Sequence, residues 1–224
     1  RVFDFQKEYK QNVVDYMICE YQAGRTPNPD IMCNQEVKFK IFLEASLAAG
    51  ADYIATGHYA RVAHESPSLA KLLRARDDNK DQTYFLYRVT SEALSKTIFP
   101  LGDFTKAEVR EMAKERGLWT ASKKESMGIC FVGQVGIREF LSEYVKTAPG
   151  NIIDQQTGFV VGKHDGAIFY TLGQRHGLNV GGGLPYYVVG KDMEKNEVYV
   201  SRSIDNESLW RKELRLADIH WINQ

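Results

Sequence analysis

Cysteine is scarce in this chain, three residues in 224, and the three lie far apart. So sparse a set excludes a disulfide-built scaffold and fits a reducing compartment. No two share a CxxC spacing and the histidines do not gather around them, so no metal site is expected. Net charge is absent as well: Lys+Arg and Asp+Glu both number 29, which leaves any nucleic-acid surface to local patches. The sequence has no signal-peptide pattern and no apolar run long enough for a bilayer, so no membrane partner is expected. Internal repeats and low-complexity stretches are also missing.

Two of the three cysteines stand in unusual company. Cys33 follows Arg25-Thr-Pro-Asn-Pro-Asp-Ile-Met, and Cys130 lies in Glu125-Ser-Met-Gly-Ile-Cys-Phe-Val-Gly133. Proline and glycine beside both predict turn-rich, partly exposed settings, where thiols react more readily than in a packed core. Cys19 sits inside a helical pattern and reads as structural.

Helical spacing of Phe5, Tyr9, Val13, Met17 and Tyr21 predicts a first helix stopping at Gly24, and a second is predicted from Val37 to Ala49, ending at Gly50. Ala51 to Thr56 reads as a strand with Gly57-His58-Tyr59 immediately beyond it, the place where α/β proteins seat ligands. Leu69 to Arg76 reads as another strand. Thr105-Lys-Ala-Glu108 is a capping-box signature for a helix ending at Gly117, and a short helix is expected over Ile137 to Tyr144. After Pro149 short β-rich runs appear at 152–153, 159–161, 167–171, 186–189 and 198–201, which suits a small barrel-like domain. The expected division is 1–136 for a catalytic α/β domain (with 102–118 packing on the next), 137–211 for a β-rich domain, and 212–224 for the start of a further barrel.

Five segments together carry a resemblance: Gly24 to Asn34, Thr56-Gly-His-Tyr-Ala60, Asn79-Lys-Asp-Gln82 with Tyr84-Phe-Leu-Tyr87, Ser126 to Phe131, and Thr171-Leu-Gly-Gln-Arg175. In order and content they resemble the tRNA-specific 2-thiouridylases, the MnmA/TrmU family, which replace oxygen by sulfur at C2 of the wobble uridine. The resemblance implies an adenine-nucleotide α-hydrolase-like α/β fold with a parallel sheet, followed by a small β-rich domain. No Ser-Gly-Gly-Val-Asp-Ser type phosphate loop occurs, and most of the family's last barrel is missing. The chain starts on Arg1 and stops in mid-pattern after Trp221, so a fragment truncated at both ends is expected, one that does not thiolate tRNA by itself.

The resemblance also implies roles. ATP, with Mg²⁺, adenylates the C2 oxygen, and Cys130 carries the persulfide sulfur delivered by a sulfur-relay protein or cysteine desulfurase. Cys33 is the partner thiol that ends in a disulfide with Cys130, and Gly57 contacts ATP. Asn28, Pro29 and Asp30 border the target base, His58 touches substrate, and Lys80, Asp81 and Gln82 contact tRNA. By its own spacing Asp30 suits either a general base one turn before Cys33 or a helix cap. Without the resemblance Lys80 to Gln82 would be a solvated turn, and Tyr84 to Tyr87 reads as core. Arg25, Lys38 and Lys40 are candidate phosphate contacts, and Gln174, Arg175 and His176 a second tRNA-facing patch. Such an enzyme is cytoplasmic in bacteria and mitochondrial in eukaryotes. A sulfur-carrier or thiol-disulfide protein without ATP chemistry is the competing reading, and a nitrogen-using AMP-forming synthetase is disfavoured by the two cysteines.

Overall fold

The computed structural model describes residues 1–122, 136–181, 183, 185–210 and 212–222. Cys130 and its motif lie outside the described residues. The chain divides into two compact units, one of residues 1–14, 28–130 and 218–224, the other of 15–27 and 131–217.

In the first unit, helix α1 (Gln6–Tyr9) leads into a wider π-helical stretch, Lys10–Val14. A second helical run opens at α3 (Pro29–Met32), continues through a nine-residue π-helical stretch, Cys33–Ile41, and closes with α4 (Phe42–Ala48). It therefore starts well before the Val37 expected from apolar spacing. The reason is local. Pro29 fills the first helical turn, where no amide donor is needed, and the Asn28 side chain caps it by accepting the Asp30 N–H at 3.2 Å. Gly50, at φ 94°, ends the run in a left-handed conformation.

Strand β1 (Ile54–Ala55) is shorter than predicted and pairs in parallel with β4 (Thr97–Ile98). Between them come the hairpin β2 (Arg61–Ser66) and β3 (Leu69–Leu73), a 3₁₀ turn at Thr83–Leu86, and α5 (Ser91–Ser95). Helix α6 (Lys106–Glu115) has the predicted capping box, with Thr105 and Glu108 bonding reciprocally, and Gly117 follows it at φ 63°. The core gathers Phe39, Leu43, Ile54, Ala60, Leu86, Leu94 and Phe99.

The second unit contains α2 (Asp15–Gln22), α7 (Ile137–Ser142) and one four-stranded sheet. Its strands β5 (Gly150–Asp154), β6 (Val160–His164), β7 (Tyr187–Asp192) and β8 (Glu197–Ser201) are ordered β6-β5-β8-β7, with β5 and β8 parallel and the other pairs antiparallel. Ile152, Tyr170, Tyr186, Val188, Val198 and Val200 fill the core beneath it. The run 167–171, read as a strand, instead begins with a 3₁₀ turn at Ala167–Phe169. Gly166, at φ 157°, and the Asn196 side chain, which accepts the Ala167 N–H at 2.9 Å, turn the chain there. Among the described residues no helix is long and apolar enough to cross a membrane.

Candidate functional site

The parallel pairing of β1 and β4 is fixed by Ile54 N–H to the Lys96 carbonyl (2.9 Å) and Thr56 N–H to the Ile98 carbonyl (3.1 Å). The chain then leaves the strand's C-terminal end through Gly57 and His58. A cavity of about 390 Å³ opens there, lined by Lys38, Phe42, Ala55, Thr56, Gly57, His58 and Gln82. Four residues singled out from the sequence, Lys38, Gly57, His58 and Gln82, therefore share one cavity. A larger one, about 670 Å³, lies between the helix face of residues 35–47 and the 88–96 segment, and among the described residues its lining includes neither Cys33 nor Gly57. The smaller cavity is the better candidate, because ligands of open parallel sheets sit beyond the carboxyl ends of the strands.

His58 is largely buried, with Nδ1 2.8 Å from Thr56 Oγ1 and its ring against Phe39 and Phe99. Burial, and then the neighbouring Lys38 charge, push its pKa from 6.5 down to about 4. The imidazole is therefore neutral at pH 7, a hydrogen-bonding group and not a cation.

Gln82 holds the cavity's rim. Its side-chain oxygen accepts the Tyr59 N–H at 2.9 Å, and its own N–H donates to the Tyr59 carbonyl at 2.8 Å. Asp81 accepts the Ala75 N–H (2.9 Å) and the Thr83 hydroxyl (2.7 Å), with Arg74 Nε at 3.5 Å. Burial alone would raise its pKa, but these hydrogen bonds outweigh burial and hold the carboxyl below its ordinary value. Both side chains thus shape the loop, a structural duty that the sequence did not reveal. Lys80 donates its backbone N–H to the Asp77 carbonyl in the same turn.

Cys33 departs from expectation. It is buried, 4% exposed, within the helical run and not in an exposed turn, because the proline-rich segment before it starts a helix. Of the two described cysteines, Cys19, read as structural, is the exposed one. Asp30 is not the helix cap; Asn28 is. The Cys33 N–H bonds back to the Pro29 and Asp30 carbonyls, so Asp30 stands one turn ahead of the thiol. The i→i+5 bonding of this stretch is rare in proteins and concentrates at functional sites.

Asn34, 1% exposed, was not singled out, yet it joins the thiol-bearing helix to the Phe85 turn and holds Lys38 within its own helix. Its side-chain nitrogen donates to the Phe85 carbonyl at 2.9 Å, and its oxygen accepts from Lys38 Nζ at 3.0 Å. The i, i+4 spacing of Asn34 and Lys38 was the available signal. Of the other candidate phosphate contacts, Arg25 lies bidentate on Glu20 (2.5 and 2.6 Å) and Lys40 on Glu36 (2.8 Å). The Tyr84 to Tyr87 segment is not simply core. Leu86 is buried, but Tyr84 is 64% and Tyr87 42% exposed, since a 3₁₀ turn cannot bury every member.

In the second unit, Thr26 Oγ1 lies 3.0 Å from Thr171 Oγ1, which brings the Arg25-Thr-Pro and Thr171-Leu-Gly-Gln motifs together. Gln174 accepts the Thr171 N–H and donates to the His176 carbonyl, so its side chain is occupied in forming that turn. No group of three or more His, Cys, Asp or Glu suited to a metal ion occurs among the described residues.

These features define a nucleotide-hydrolase-like α/β domain with a parallel sheet, followed by a small β-rich domain. A family model described as the tRNA methyl transferase HUP domain matches residues 1–134, and one described as the tRNA methyl transferase PRC-barrel domain matches 138–202. Proteins described as tRNA-specific 2-thiouridylase MnmA are similar over 98% of this chain: 53% identical in Bacillus cytotoxicus, 52% in Bacillus thuringiensis strain Al Hakam and 52% in Bacillus anthracis. The chain belongs to this MnmA/TrmU family of tRNA 2-thiouridylases. It spans 59% of the length of those relatives.

Proposed function

We propose that this chain is part of an enzyme that converts a tRNA uridine to 2-thiouridine using ATP and a persulfide. The observation that carries the reading is the 52–53% identity to named 2-thiouridylases across both units. The methyl transferase wording of the family models is the second reading. Methyl transfer needs no thiol pair, whereas the motifs around Cys33 and Cys130 hold two.

A uridine C2 carbonyl is a poor electrophile, and ATP supplies the adenylate leaving group, with Mg²⁺ accompanying its phosphates. The cavity beyond β1 fits a nucleotide in kind. It has a glycine that lets backbone approach closely, an uncharged imidazole, and the Lys38 ammonium to face an anion. Gly57 would take the nucleotide, His58 would donate or accept a hydrogen bond without a net charge, and Lys38 would offset phosphate charge. Asn28, Pro29 and Asp30, one turn ahead of Cys33, would border an extruded base, with Asp30 as proton acceptor. Lys80, Asp81 and Gln82 would face tRNA through their loop. The domain limits 1–136, 137–211 and 212–224 belong to the same proposal.

The sulfur step balances without an outside oxidant. The terminal sulfur of a Cys130 persulfide attacks C2, and AMP leaves with the former carbonyl oxygen. The Cys33 thiolate then attacks Cys130 Sγ, the S–S bond to the base breaks, and 2-thiouridine departs as the two cysteines form a disulfide. Two thiols are oxidised and one sulfane sulfur is reduced, and a dithiol reductant resets the pair. A cysteine desulfurase or a sulfur-relay protein would load Cys130, in the cytoplasm of a bacterium or in mitochondria.

The test is a nucleoside mass-spectrometric assay on the protein expressed from its complete reading frame. With tRNA, ATP-Mg²⁺, a cysteine desulfurase and free cysteine it should form 2-thiouridine and AMP. Thiolation that proceeds without ATP would favour a bare sulfur carrier, and methylated uridine would favour the second reading.

A further inference from the structure

We propose that Tyr84 and Tyr87 form a stacking platform for unpaired RNA bases beside the Cys33 helix, an inference that rests on the tRNA reading above. The two rings lie 6.3 Å apart at 41°, and Phe85 meets Tyr84 edge-on at 5.4 Å. Single exposed aromatics are ordinary on a protein surface, but adjacent rings on one short turn form a continuous apolar face.

The turn that carries them is held from several sides. Leu86 is fully buried beneath it, and Asn34 of the thiol-bearing helix binds the Phe85 carbonyl. Asp81 binds the Thr83 hydroxyl, and Gln82 is doubly bonded to Tyr59. Rings presented on so constrained a backbone lose little freedom on binding, which is what a stacking surface requires. Because the fixing bond comes from Asn34, the platform is tied to the residue next to Cys33.

Charge selects nucleic acid over an apolar protein surface. Arg88 directly follows Tyr87, and its Nε donates to the Gln35 side-chain oxygen at 2.6 Å. Lys38 donates to the Asn34 amide oxygen at 3.0 Å. Both partners are neutral amides, so neither bond neutralises its cation: Arg88 is left to act on the RNA phosphate backbone, and Lys38 keeps its charge for the neighbouring nucleotide phosphates. Aromatic faces flanked by cations bind single-stranded bases in a sequence-tolerant way, since every base has a π face. The flanking nucleotides of a loop whose target base is extruded are such bases.

The test compares the complete protein carrying Tyr84→Phe/Tyr87→Phe with one carrying Tyr84→Leu/Tyr87→Leu. The probe is an anticodon stem-loop RNA with 2-aminopurine in its loop, titrated at several salt concentrations. The phenylalanine form should bind as the parent does, with fluorescence quenched by stacking. The leucine form should lose roughly tenfold in affinity, together with the quench. Its melting temperature and salt slope should stay unchanged, because both rings are exposed and no phosphate contact is removed. Equal affinity and quench in the leucine form would overturn the platform while leaving thiolation intact. Failure of the parent protein to bind the RNA at all would overturn both readings.

Discussion

His58 offers the sharpest test of the cavity's electrostatics. Its pKa falls from 6.5 to about 4 because burial, then Lys38, oppose its protonation. In the unfolded chain the ring takes a proton near pH 6.5, while in the folded chain it does so only near 4. Stability is therefore fully present above pH 6.5 and is lost as pH falls toward 4, with the unfolded state binding the extra proton. At ~1.4 kcal/mol per pH unit, the fall from 6.5 to about 4 amounts to roughly 3–4 kcal/mol. Carboxyl groups held low, such as Asp81 and Glu108, act below their ordinary 3.8 and 4.5 and so fall largely outside this window. His164 is also lowered by burial, and comparison of the parent with His58→Asn cancels its effect. Denaturant unfolding at pH 7.5, 6, 5 and about 4.5 should show the parent losing ~2–3 kcal/mol more than the variant. The His58 imidazole C–H resonance should titrate near 4. A difference that stays flat with pH, or a midpoint at 6 or above, would refute the buried neutral imidazole.

Two further outcomes follow from burial and close approach. In the native protein a thiol reagent should modify Cys19 before Cys33, and peptide mass spectrometry should find Cys33 labelled only when the chain opens. Gly102→Ala would place a methyl 1.9 Å from the Ala60 carbonyl oxygen, and Gly150→Ala would place one 2.0 Å from that of Asn196. Each should cost at least ~2–3 kcal/mol by thermal unfolding, whereas Gly181→Ala, which meets open space, should change little.

The sequence told most where a local rule acts alone. Thr105 and Glu108 cap their helix reciprocally, Gly50 and Gly117 stop theirs, and four of the β-rich runs became strands. It told least where one residue serves two ends. Asn-Pro-Asp reads equally as turn or helix start, and only the capped geometry of Asn28 decides for helix and buries Cys33. Asp81 and Gln82 look like surface polar residues because their partners, Ala75 and Tyr59, lie elsewhere in the chain. Of the candidate site, Lys38, Gly57, His58 and Gln82 were named from the sequence and line one cavity, but the bonds through Asn34 were not legible.

The units are interleaved along the chain, and this has a consequence for synthesis. Helix α2 belongs with strands that begin only after residue 131, and its Met17 and Tyr21 are buried in the finished unit. On a ribosome adding about 5–20 residues per second, that helix waits roughly 9–36 s for its sheet, complete only at Ser201, to emerge. During the wait its apolar side has no native cover, while residues 28–130 can already condense around Phe39 and Leu86. A pause or a chaperone acting soon after α2 is made would therefore bear on the β-rich unit, although its strands are encoded only from Gly150 onward.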